Sequence, residues 1–165
     1  MKRRFTFLAL TIVLAVSISV FFPTSSQAGE AVPIAGIGFF ADPGECIDAE
    51  GSGSDFALRM TGDLEGCLYV FVADWTCSPS GTYRETGTEI FVGDYNGQAG
   101  TFETTYLFTA KLGSCPDLAT EIFGRCQHRI VRGTGIDDFE GVTGRVDFKD
   151  DIDAGNFPYT GHLRW

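Results

Sequence analysis

Glycine in the last third of the chain restricts the fold more than any other feature. In GTGIDDFEGVTGRVDFKDDIDAGNFPYTGHLRW, Gly133, Gly135, Gly141, Gly144, Gly155 and Gly161 punctuate the short apolar alternations of Phe139, Val142, Val146, Phe148, Phe157, Tyr159 and Leu163. Each glycine would cost a helix roughly 1 kcal/mol relative to alanine. Turns and bulges accept glycine readily, because it adopts positive φ without a steric penalty. The segment therefore reads as antiparallel β-structure.

The upstream sequence agrees. Residues 29–45 read as a leading arm or first strand, and Phe56 to Met60 as a short strand. Cys67 to Thr76 is the strongest strand signal, with Tyr69, Phe71, Ala73 and Trp75 on one face and Leu68, Val70 and Val72 on the other. Both faces are apolar, so burial on both sides is expected. Thr82 to Gly93 follows, with a bulge suggested at Gly87, and Asn96-Gly97 supplies the two positive-φ positions of a hairpin turn. Thr101 to Leu112, Cys126 to Arg132, Phe139 to Val142, Arg145 to Lys149 and Phe157 to Trp165 complete eight to nine strands. The one stretch with helical character, Asp117 to Phe123, is short. Regular strand spacing predicts an all-β sandwich or barrel in one domain, residues 29–165. The apolar face of the final strand is expected to close the sheet against the first, removing both edges.

The N-terminus has the layout of a secretory signal peptide over residues 1–28: Lys2, Arg3 and Arg4, an apolar run from Phe5 to Phe22, and small residues Ser26 and Ala28 at a cleavage site. An uncleaved anchor is the rival reading, because the run is near the lower limit for a membrane span. Cleavage predicts a secreted or periplasmic protein with no membrane attachment afterwards. Without Lys2, Arg3 and Arg4 the 12 basic residues fall to nine against 22 acidic ones, a net charge near −13. Such a surface repels nucleic acid and anionic lipid as a whole.

Cys46, Cys67, Cys77, Cys115 and Cys126 all follow the signal segment, and export makes disulfides the expected use for them. Cys67 and Cys77 bracket one strand. Ten extended residues span about 33 Å, so these two cannot meet within the roughly 7 Å that a bridge allows. Cys115 and Cys126 flank a loop and are placed to pair locally. The spacings match no zinc pattern and there is no CxxC, so no metal and no cofactor are expected.

The run Gly-Thr-Gly-(x)-Phe-x-Gly-Val-Thr-Gly-Arg-x-x-Phe, Gly133 to Phe148, resembles the C-terminal signature of the allene oxide cyclase-like barrels. Dirigent proteins share that barrel and a comparable glycine-rich stretch. Gly100 to Tyr106 and Tyr159 to Arg164 also resemble small secreted bacterial proteins of this type. The resemblance covers Gly66 to Trp165. It implies an all-β, eight-stranded antiparallel barrel with a lumen, of the allene oxide cyclase-like (calycin- or dirigent-like) kind. It also makes a homo-oligomer an expectation, since both groups assemble as trimers. No catalytic residue of either group matches a position here.

Within such a barrel, Tyr69, Phe71, Trp75, Phe102, Tyr106 and Phe108 are the candidate wall of a ligand-binding lumen. A solid core is the competing reading. The acidic run of Asp147, Asp150, Asp151, Asp153 and Asn156 faintly resembles a calcium loop, but it lacks the distal glutamate and reads better as a hairpin turn. Arg59, Glu85, Glu89, Glu103, Arg145 and His162 lie among strand apolars. Alternation places such charges on the solvated face by default. A lumen-facing carboxylate with an Arg or His partner would instead serve as acid or base. The functional expectation is a small apolar ligand held in the lumen. The alternatives are a cyclase- or dirigent-type enzyme steering a reactive intermediate, and a structural extracellular protein with a filled barrel.

Overall fold

A computed structural model describes residues 29–165. The expected export signal lies outside the described residues. Nine strands run in chain order: β1 (Val32–Phe40), β2 (Phe56–Gly62), β3 (Leu64–Cys77), β4 (Thr82–Tyr95), β5 (Gln98–Leu112), β6 (Glu121–Ile130), β7 (Ile136–Asp137), β8 (Thr143–Lys149) and β9 (Phe157–Arg164). Their order in the sheet is β4-β3-β2-β1-β9-β8-β6-β5, and β5 pairs back onto β4. The result is a closed eight-stranded antiparallel barrel. The two-residue β7 adds to β5 at Gly100 and Thr101. The first and last long strands do pair, Val32 with Leu163 through Gly38 with Phe157.

The Asn96-Gly97 turn behaves as its chemistry requires, with φ of 53° and 77°, and Asp94 Oδ1 accepts from the Gly97 amide at 2.8 Å. Phe139 to Val142 is not a strand. It is a turn that tucks Phe139 and Val142 under the barrel, where Phe139 meets Phe91 and Phe102 edge-on at 5.8 and 5.1 Å. Trp165 braces that plug by donating from Nε1 to the Asp138 carbonyl. Asp117 to Phe123 is helical only over Leu118–Thr120, a single 3-10 turn capped by Asp117 that gives way to β6.

The lower half of the lumen is solid. Ile34, Leu64, Phe91, Phe102, Ile130, Val146 and Leu163 fill it with the plug residues. Tyr159 crosses this core above Gly36, where a β-carbon would collide with the ring. Its hydroxyl accepts from the Leu64 amide at 2.9 Å and lies 3.2 Å from the Leu64 and Thr61 carbonyls. Glycine at position 36 is thus a packing requirement, quite apart from turn geometry.

The loops after β1, β3, β5 and β8 gather at the opposite end, and two disulfides fasten them. Cys46–Cys67 ties the β1–β2 loop to the outside of β3, and Cys77–Cys115 ties the top of β3 to the β5–β6 loop. Cys115 therefore does not pair with Cys126. Cys126 stays free and faces the lumen, two residues along β6 from His128. Two disulfides fit a protein of an oxidising compartment, extracellular or periplasmic. Among the described residues, no helix is long and apolar enough to cross a membrane.

Candidate functional site

Above the solid floor the barrel opens into a cavity of about 430 Å³. Its walls are apolar: Phe40 and Phe56 from β1 and β2, Leu58, Val70, Phe108, and Phe148 and Phe157 from β8 and β9. Phe40 packs edge-on against Phe56 and Phe157 at 5.7 and 5.0 Å and forms part of the rim.

The polar groups of this cavity come from alternation along β4, β5 and β6. On β4 the inward positions include Tyr83, Glu85, Glu89 and Phe91. On β5 they include Phe102, Thr104, Tyr106 and Phe108, and on β6 Cys126, His128 and Ile130. Glu89 and His128 are 2% and 4% exposed and meet at the cavity floor, Nδ1 to Oε2 at 2.5 Å. Thr104 Oγ1 donates to the same oxygen. Glu89 Oε1 accepts no hydrogen bond among the described residues, and His128 Nε2 is buried without a partner among them. The imidazole is fixed from both sides, tilted on Phe148 at 4.7 Å and stacked on Tyr106 at 5.9 Å.

One turn of strand higher, Glu85 accepts from the Tyr83 and Tyr106 hydroxyls at 2.6 and 2.8 Å. Burial, then the hydrogen bond to Glu85, raises both phenols above their ordinary value, so they act as donors. Burial also pushes the Cys126 thiol up, with the charges of Glu89, Asp150 and Glu85 adding to it, so it is held as a thiol.

At the rim, Glu121 and Asp150 converge over Gly124. Their carboxyl oxygens occupy the space a β-carbon there would fill. Burial, followed by the hydrogen bond to Asp150, pushes the Glu121 carboxyl up to about 8. Burial raises Asp150 as well, and its hydrogen bond to Glu121 and the nearby His128 partly offset this. Two carboxyls this close favour sharing one proton, and their mutual hydrogen bond raises Glu121 while it lowers Asp150.

The residues anticipated as lumen wall divide. Tyr106 and Phe108 line the cavity. Phe102 is packed into the floor, stacked on Phe91 at 4.9 Å. Trp75 stacks on Tyr83 at the rim, half exposed. Tyr69 and Phe71 lie on the outside of the barrel. Tyr69 is covered by the turn at Gly51 and donates to Asp48 Oδ2 at 2.7 Å. The split has a local cause: a bulge between Val72 and Asp74 leaves Ala73 unpaired and reverses the alternation along β3. The bulge sits opposite Gly87 rather than at it.

The acidic hairpin is a turn. Asp151 accepts from the Ala154 amide through Oδ1 and bridges to Asn156. Among the described residues no cluster of three or more metal-ligating side chains forms. Of the strand-borne ionisable groups, Glu85 and Glu89 face inward, and Arg59, Glu103, Arg145 and His162 lie outside. His128, Glu121 and Asp150 also line the cavity, although no local motif in the sequence marks them. The usable signal was parity: His128 shares a face with Ile130 and Cys126, and Glu89 with Phe91.

No family model, curated protein or solved structure matches this chain.

Proposed function

We propose that this is an exported barrel that admits a small apolar molecule through its open end and moves a proton on it at Glu89 and His128. The observation that carries the reading is the buried Glu89–His128–Thr104 cluster at the floor of a cavity with largely aromatic and aliphatic walls, which also carries Glu85, Glu121 and Asp150 above that floor. Burying such a pair contributes little to stability, since a hydrophobic replacement is often neutral or stabilising. The pair therefore makes sense as chemistry. Kinship with the allene oxide cyclase-like barrels belongs to the same proposal, supported by the glycine signature and the eight-stranded closure.

The chemistry follows from the bonds. Glu89 holds Nδ1 as the protonated nitrogen of His128 and leaves the Nε2 lone pair as the base; Nε2 is buried at the floor, so a substrate reaches it only as a side chain covering it moves aside. A fitting substrate is an apolar carbonyl compound with an acidic C–H. Its C–H bond breaks, the proton passes to His128, and the electron pair spreads onto the carbonyl oxygen. The proton then returns at another carbon, so the step is an isomerisation that needs no co-reactant. A developing oxyanion would draw the Tyr106 hydroxyl, which stacks beside His128, away from Glu85 and take its hydrogen bond in place of that carboxylate.

The test pairs binding with proton exchange. Native mass spectrometry of the protein purified from its own host reads bound ligand. Incubation in D2O with a panel of small alicyclic enones, followed by NMR, reads protein-dependent deuterium uptake. The expected result is uptake that is lost in His128→Gln while binding persists. Binding without uptake in the wild type would leave a carrier, the second reading that the apolar walls favour. Absence of both would remove the cavity as a functional site.

A further inference from the structure

The outer face of β6, β8 and β9 carries a feature that the cavity does not explain. Of the nine basic residues between 29 and 165, Arg125, Arg129, Arg132, Arg145, Lys149 and Arg164 fall in the last forty or so positions. The sheet register brings them together. Arg129 lies directly opposite Arg145, and Arg145 directly opposite His162. Arg125 lies opposite Lys149, one rung pair along the same strands. Between these rungs sits Asp147, which pairs with Arg145 at 2.5 Å and leaves its Oδ1 buried without a partner among the described residues.

Like charges opposed across neighbouring strands destabilise a sheet. Here the opposition occurs twice on one face of a chain with a strong acidic excess, where neutral or acidic residues would have been the easier choice. The face is also concave. A groove of about 840 Å³ runs over it, with Arg129, Arg132, Arg145, Arg164 and His162 in its lining against the single acid Asp147.

We propose that this groove binds an acidic polysaccharide. The guanidinium fork matches sulfate and carboxylate oxygens in two parallel hydrogen bonds. Neighbouring strands stand about 4.8 Å apart, so the Arg129–Arg145 rung offers two guanidiniums side by side, with the His162 imidazole next to them as a further hydrogen-bonding group. A nucleic acid is the less fitting polyanion. Single-strand recognition relies on aromatic platforms, and the outer-face side chains of this groove include no aromatic apart from His162. Acids elsewhere on the surface repel any polyanion, so the groove binds by local contacts and its affinity falls with salt.

The proposal does not depend on the chemistry at Glu89 and His128, and its test uses other residues. Binding of the purified protein to a heparin-derived oligosaccharide and to polygalacturonate is measured calorimetrically in low and physiological salt. Neutral dextran and a single-stranded DNA of matched charge serve as comparators. The expected result is binding to at least one acidic polysaccharide, weakened by salt and absent for dextran. It should fall about tenfold or more in the Arg129→Gln/Arg145→Gln double variant, and Arg84→Gln, which removes an exposed arginine outside the groove lining, should leave it unchanged. Both altered positions are solvent-exposed, so an unchanged melting transition confirms a folded variant. No binding in low salt, an equal loss in Arg84→Gln, or DNA binding as tight as the polysaccharide would each overturn the proposal.

Discussion

Replacing Glu121 by Gln tests the electrostatics of the cavity rim without altering its shape. Glu121 is raised from 4.5 to about 8, first by burial and then by its hydrogen bond to Asp150. The folded state therefore keeps a proton that the unfolded chain releases above pH 4.5. The stability from that proton is present in full below about pH 4.5 and is lost as the pH rises through about 8. Taken at face value, the shift is worth about 5 kcal/mol. The pair sits at the rim and is partly solvated, so screening cuts this to about 1–2 kcal/mol. Glutamine places an amide N–H where the acid O–H stood and cannot lose it. The assay is the melting temperature of both proteins from pH 5 to 9. Other titrating groups move the two curves alike, so the quantity read is the difference between them. Glu121→Gln should gain on the wild type by about 3–8 °C across that range. A difference that stays constant from pH 5 to 9 would mean Glu121 is ionised throughout, and the shared-proton account of the rim would fail.

Tyr159→Phe should cost about 1–3 kcal/mol, because it strands the buried Leu64 amide while leaving the ring in place; urea unfolding with an unchanged m-value checks it. Cys77→Ser/Cys115→Ser opens a closure of 38 residues and should cost up to about 4 kcal/mol. Because that bridge fastens the open end, amide exchange should accelerate first in the β3–β4 and β5–β6 loops and last around Phe91 and Phe102.

How much of this was legible in the sequence differs from element to element. Strands and closure were readable because alternation and turn glycines are local signals. Phe157, Tyr159, Gly161 and Leu163 announce an apolar face that needs a partner, and β1 provides it. The fate of Tyr69 and Trp75 was not readable. One unpaired residue at Ala73 reverses the inward face of β3, and nothing in the local composition marks it. Phe139 and Val142 looked like strand residues because apolar alternation does not distinguish a strand from a plug. The cavity floor was half legible: parity puts Glu89 with Phe91 and His128 with Ile130. The meeting of Glu89 with His128, 39 residues apart, follows from β5 lying between β4 and β6, a matter of topology. The arginine rungs were hidden for the same reason, since opposition across strands is a property of register and the residues lie far apart in the chain.

Phe139, Val142 and the bracing Trp165 make the lumen a vessel with one door. Whatever enters between Phe40, Phe56 and Phe157 must leave the same way, so an arriving molecule and a departing one contend for a single passage. For the proposed proton transfer, a spent molecule would obstruct a fresh one in direct competition. A tube open at both ends escapes that constraint, and the glycine-rich turn below β6 rules the tube out.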